Sequence, residues 1–114
     1  MEERDQEPEQ YTIDWFIDFY SKIPEEKWTT GFYVRNIGTK EISFCALGHL
    51  GIGNSSNKNR KKAARFLSDL FAANHLSVSG INDGLVCVFQ QPTPRQRILA
   101  ALNHFKTLST AVDK

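Results

Sequence analysis

Thr93-Pro94-Arg95-Gln96-Arg97, followed by Ile98, Leu99, Leu102, Phe105 and Leu108, constrains this chain more than any other stretch. A capping Thr, a first-turn Pro and a Gln three residues after the cap open a helix, since each suits N–H groups that lack partners inside it. The apolar residues behind them recur at helical spacing and require a core to face. A second amphipathic stretch, roughly 58 to 75, sets Ala63, Phe66, Leu67, Leu70, Phe71 and Asn74 on one face, with Arg65, Ser68 and Asp69 outside. A third begins at Thr12, which can cap a helix with Asp14 in its first turn and Ile13, Phe16, Ile17, Tyr20 and Ile23 on its apolar side. Trp15 and Phe19 widen that side, Lys22 sits near its carboxyl end, and Pro24 ends it before a short turn through Glu25-Glu26-Lys27.

Between the helices the pattern changes. Phe32–Arg35 and Glu41–Phe44 are β-prone and flank the turn residues Asn36–Lys40, so a short hairpin is expected. Two strands alone are marginal, and this pair must pack on helices. Ser43 is expected to cap a short helix from Phe44 to about Leu50, in which Gly48 lets another backbone approach and Gly51 stops the helix. Residues 51–57 read as a polar loop, Ser77–Gly84 as a turn-rich crossing, and Leu85–Phe89 as a candidate third strand. The fold expected is α+β: a small helix-dominated domain over residues 11–110, preceded by a disordered acidic arm at 1–10. A chain of 114 residues can build such a core without metal or disulfide staples.

The formal net charge of +1 hides a division along the chain. Residues 1–26 hold nine acids against Arg4 and Lys22, a net of −7; residues 27–114 hold twelve Lys or Arg against Glu41, Asp69, Asp83 and Asp113, a net of +8. The acidic end can solubilise the chain, lie over the basic body, or favour a homo-oligomer by charge complementarity. No run approaches the ~20 apolar residues of a membrane span, and the acidic start lacks the apolar core of a signal peptide. A cytoplasmic protein with no membrane partner is expected, and Cys45 and Cys87, far apart and in no CxxC pair, are expected to be reduced.

Two groups of residues could carry function. Cys45 and His49 stand at i and i+4, where a thiolate–imidazole pair could form at the start of a helix, with Asn82 or Asp83 as the orienting group. The competing view makes Cys45 a small packed hydrophobe and Asn82-Asp83-Gly84 a tight turn. The second group is Lys58, Arg60, Lys61 and Lys62 at the start of one helix, repeated by Arg95 and Arg97 at the start of the last. Cations there oppose the helix dipole, and an anion such as phosphate would relieve the conflict, although the preceding Gly/Ser/Asn loop lacks the spacing of a Walker sequence. Tyr11, Trp15, Trp28, Phe32 and Tyr33 could stack on a base or line a partner groove, Trp28 being the aromatic assigned to the ligand site. His75 and His104 are read near helix carboxyl ends without spaced metal partners, so neither a metal nor a cofactor is expected. A net of +1 argues against an extended nucleic-acid surface while leaving room for a small nucleotide.

Cys45-x-x-Gly48, the Ile81-Asn82-Asp83-Gly84 turn and the terminal Pro92-Thr93-Pro94-x-Gln96-Arg97-Ile98-Leu99 helix together resemble an uncharacterised family of small bacterial and phage proteins. The resemblance covers most of residues 11 to 108 and departs at Ile81, where a tryptophan would be expected. It implies the same order of elements and a host-directed accessory role, with no assigned activity. The expectation from all of this is a non-enzymatic binding module that captures a phosphorylated, nucleotide-like small ligand or inhibits a host protein. The alternative is a small cysteine-dependent hydrolase or transferase using Cys45 and His49.

Overall fold

The computed structural model of the chain describes residues 10–36, 38–51 and 61–112. The acidic arm, apart from Gln10, and the loop after Gly51 lie outside the described residues. Four helices are present among them: α1 (Ile13–Ser21), α2 (Lys61–Ala73), α3 (Val78–Asp83) and α4 (Pro94–Val112). Strands β1 (Val34–Arg35) and β2 (Ser43–Phe44) pair antiparallel, with Val34 opposite Phe44 and Arg35 opposite Ser43. The molecule is a small α+β domain.

The helix α4 organises the rest. It packs on α1 and α3, and its polar ends fix its direction against α1. Arg95 at its start donates to the carbonyls of Ser21 (2.8 Å), the last residue of α1, and of Ile23 (3.1 Å) just beyond it, whereas Lys106 pairs with Asp14 at the start of α1 (2.7 Å). The two helices are therefore antiparallel. Ile98, Ala101, Leu102 and Phe105 are buried, together with Phe16 and Tyr20 of α1 and Ala63, Leu67 and Phe71 of α2. Leu108, expected in the buried stripe, is instead 42% exposed, because α4 has 19 residues and overshoots the nine of α1. The caps form as expected: Thr12 accepts from the Trp15 N–H at 3.1 Å, and Thr93 from the Gln96 N–H at 3.1 Å. The reciprocal half of the second cap is missing, since the buried Oε1 of Gln96 has no hydrogen-bond partner.

Three expectations are corrected. Ser43 caps no helix: Phe44 is drawn into extended chain, where its carbonyl accepts the Thr29 N–H at 2.9 Å, and only a 3-10 turn at Gly48–Leu50 follows, closed by Gly51 at φ 92°. The stretch Ser77–Gly84 is built around the helix Val78–Asp83 rather than being a turn-rich crossing. Ser77 caps it by accepting from the Gly80 N–H at 2.9 Å, and Gly84 ends it at φ 71°, in the left-handed region that glycine enters without penalty. Leu85–Phe89 is not a strand, because the Leu85 N–H returns to the Gly80 carbonyl (2.9 Å) and Phe89 itself turns at φ 55°.

Candidate functional site

The hairpin and α3 face each other across a cleft of about 380 Å³, lined by Gly31, Phe32, Tyr33, Cys45, Ser79 and Asp83. Ser79 and Asp83 come from one face of α3, being four residues apart on the helix. Phe32 and Tyr33 form the opposite lip and are 58% and 46% exposed. That lip is pinned from behind. The Tyr33 carbonyl accepts from the Cys45 N–H at 3.1 Å and lies so close to Gly48 that a Cβ there would overlap it, which is the close backbone approach that a glycine permits.

Asn82 holds the floor in place. Fully buried, it accepts from the Ala46 N–H (3.0 Å) and donates to the Thr29 carbonyl (2.9 Å) and to Asp83 Oδ1 (2.8 Å). These bonds tie α3 to both chain segments that carry the lip, and they satisfy groups that would otherwise be buried without partners. Behind α3, Arg97 donates to the carbonyls of Ile81 (3.1 Å) and Asn82 (2.8 Å), closing the carboxyl end of the helix beside Gly84. Among the described residues the Asp83 carboxylate makes no ion pair, and the Asn82 carboxamide is the one hydrogen-bonding partner of that side chain.

The structure therefore brings Cys45, Asn82 and Asp83 together and gives His49 different neighbours. Its imidazole packs against Trp28 (centroids 4.8 Å apart) and Phe44 (5.2 Å), and its Nε2 is buried without a hydrogen-bond partner. Burial lowers its pKa to about 4, against a hydrogen bond with the Lys27 backbone that favours the cation. Cys45 is 6% exposed, and its Sγ accepts from the Gly48 N–H at 3.4 Å. Burial pushes the thiol pKa up and the Asp83 charge adds to this, outweighing the backbone N–H groups of Gly48 and Leu47. A neutral thiol and a neutral imidazole are the forms this environment favours, not an activated ion pair.

The basic residues divide as well. Lys58 and Arg60 lie outside the described residues, and Lys61 and Lys62 are exposed at the start of α2. Lys62 lines a wider cleft of about 490 Å³ with Gln10, Tyr11 and Phe66. Arg95 and Arg97 are not uncompensated cations, since backbone carbonyls of α1 and α3 engage both guanidinium groups. Trp28 is a core residue, 7% exposed, packed on Tyr20 (5.2 Å) with its indole N–H on the Ile23 carbonyl (3.3 Å). His104 lies within α4 rather than near its end, against Phe89 (5.5 Å), and His75 follows α2 at φ 63°. Among the described residues no three His, Cys, Asp or Glu side chains gather as a metal site, and no helix is long and apolar enough to cross a membrane.

Sequence reasoning missed Ser79. Its position becomes visible once Ser77 is read as a cap, which puts Ser79 and Asp83 on one helical face. No family model, curated protein or solved structure matches this chain.

Proposed function

We propose that this domain is a non-enzymatic binding module that holds a segment of a protein partner in the cleft between Phe32-Tyr33 and α3. The observation that carries the reading is the pairing of two large exposed aromatics with a concave site whose walls are tied together by Asn82. Aromatic side chains are enriched among the few residues that dominate binding energy in protein recognition, because they remove a large apolar area from water at little entropic cost. A host protein, the partner expected from the sequence, is the proposed source of that segment. Selection of a random peptide library on the immobilised domain, with counter-selection on a Phe32→Ser/Tyr33→Ser variant, tests the reading. Peptides that bind the native domain and not the variant support it; peptides indifferent to the two substitutions refute it.

A second reading is favoured by the cleft at the start of α2, where Lys62 shares a concave surface with Tyr11 and Phe66. A phosphorylated, nucleotide-like ligand would set its phosphate on Lys61 and Lys62 and its ring against the aromatic side chains. Nucleotides should then raise the melting temperature of the native domain and not of a Lys61→Ala/Lys62→Ala variant. No shift with mono-, di- or cyclic nucleotides would remove this reading and leave the first untouched.

A further inference from the structure

Resting on the protein-partner reading, we infer that the cleft between Tyr33 and α3 receives an arginine side chain of the partner. Asp83 supplies the charge. Asp83 lines the cleft, its carboxylate makes no ion pair among the described residues, and no Lys or Arg is among the cleft's lining residues. Asn82 fixes its orientation from behind: the bond from Asn82 Nδ2 engages Oδ1 at 2.8 Å and leaves Oδ2 without a described partner. A carboxylate already oriented by a fully buried neighbour loses little freedom on meeting a cation, which is the condition under which a charge-assisted hydrogen bond contributes to binding.

The choice of arginine over lysine follows from the aromatic lip. A guanidinium is planar, stacks on an aromatic face and can keep its in-plane N–H groups on a carboxylate, whereas an ammonium offers no plane to stack. The protein already uses this pairing beside the cleft, where the Arg35 guanidinium lies 4.5 Å from the centroid of Phe32 while bonded to Thr29 Oγ1 (2.8 Å) and the Thr30 carbonyl (3.2 Å). Arg35 thus occupies a face of Phe32. Tyr33, 46% exposed and without a side-chain partner among the described residues, is the ring left for the incoming group. Ser79 on the opposite wall adds a hydroxyl that can accept from the remaining N–H groups.

The test uses the full chain and two probes. The first is acetyl-Gly-Arg-Gly-amide, compared by NMR titration with its citrulline and lysine counterparts. The arginine peptide should shift the amide signals of Tyr33, Ser79 and Asp83; citrulline, equal in shape and uncharged, should not, and lysine should act at least about threefold more weakly. Asp83→Asn, which keeps an acceptor for Asn82 and so leaves the fold intact, should abolish the arginine response. The second probe is the set of peptides selected on the domain. They should carry arginine, and replacing it with citrulline should weaken binding about tenfold or more. Selected peptides that depend on Phe32 and Tyr33 yet lack arginine, or bind Asp83→Asn equally well, would overturn the inference while the partner reading stands. Peptides indifferent to Phe32 and Tyr33 would overturn that reading instead, and a tripeptide titration without shifts at Asp83 would overturn the arginine site by itself.

Discussion

Asn82 donates its side-chain N–H to the carbonyl of Thr29 at 2.9 Å, joining α3 to the segment that leads into the hairpin across 53 residues of chain. The same carboxamide accepts from Ala46 and orients Asp83, so one buried polar side chain sets the width of the cleft and the aim of its carboxylate. Asn82→Ala would leave the Ala46 N–H and the Thr29 carbonyl buried without partners. A loss of about 2–4 kcal/mol is expected, read from urea unfolding. A loss below about 0.5 kcal/mol would show that water replaces the side chain and that the cleft is not held in this way.

Gly48→Ala places a methyl against the Tyr33 carbonyl, and a backbone atom has no rotamer by which to escape. Overpacking of this kind costs about 1–3 kcal/mol, and the strain falls on the lip of the cleft. Peptide binding should therefore weaken even where the variant remains folded. Unchanged melting and unchanged binding would mean that the hairpin shifts freely and that the lip is not pinned.

Arg97→Lys tests the closure of α3. The guanidinium reaches the carbonyls of Ile81, Asn82 and Gln91 at once (2.8–3.1 Å), a fork that a lysine ammonium cannot reproduce. About 2 kcal/mol should be lost, given that hydrogen bonds to charged groups are worth about 1.5–3 kcal/mol. Faster amide hydrogen exchange confined to α3 would be the accompanying signature. Exchange that rises uniformly would point to a general loss of stability instead.

Arg97 and its neighbour Arg95 also show what was legible in the sequence and what was not. The long helices could be read because their apolar spacing and caps are local, as at Thr12 and Thr93. The α+β class and the close approach at Gly48 could be read for the same reason. That Arg95 and Arg97 stand at a helix start where cations are disfavoured was visible, but their partners were not. They cap the carboxyl ends of α1 and α3, 72 to 74 and 15 to 16 residues away, and the favourable end of a neighbour's dipole offsets the unfavourable end of their own. In the site, Asp83 and Cys45 could be singled out by type. Ser79 could not, because α3 is only six residues long and its Ser77 cap and internal Gly80 imitate a turn.

The cysteines should react in the order opposite to that of a catalytic Cys45. Cys87 is exposed, whereas Cys45 is buried and its thiol pKa is raised by burial. At neutral pH iodoacetamide should label Cys87 at least about tenfold faster, since attack needs an accessible thiolate. Faster labelling of Cys45 would revive the hydrolase or transferase alternative and displace the binding-module reading.

His49 should make the domain sensitive to mild acid. Its folded-state pKa of about 4 lies below the ordinary 6.5, so the unfolded chain takes up a proton that the folded one refuses. Stability is then fully present above pH 6.5 and declines as the pH falls from there towards about 4, by roughly 3 kcal/mol in all from this group. Carboxylates contribute their own slope in the lower part of that window, and the difference between native and His49→Phe isolates the imidazole. Phenylalanine keeps a ring between Trp28 and Phe44, so the variant should fold and lose most of the slope between pH 6.5 and 5. An identical slope in both proteins would mean that His49 is solvated in the folded state and that its burial carries no linkage.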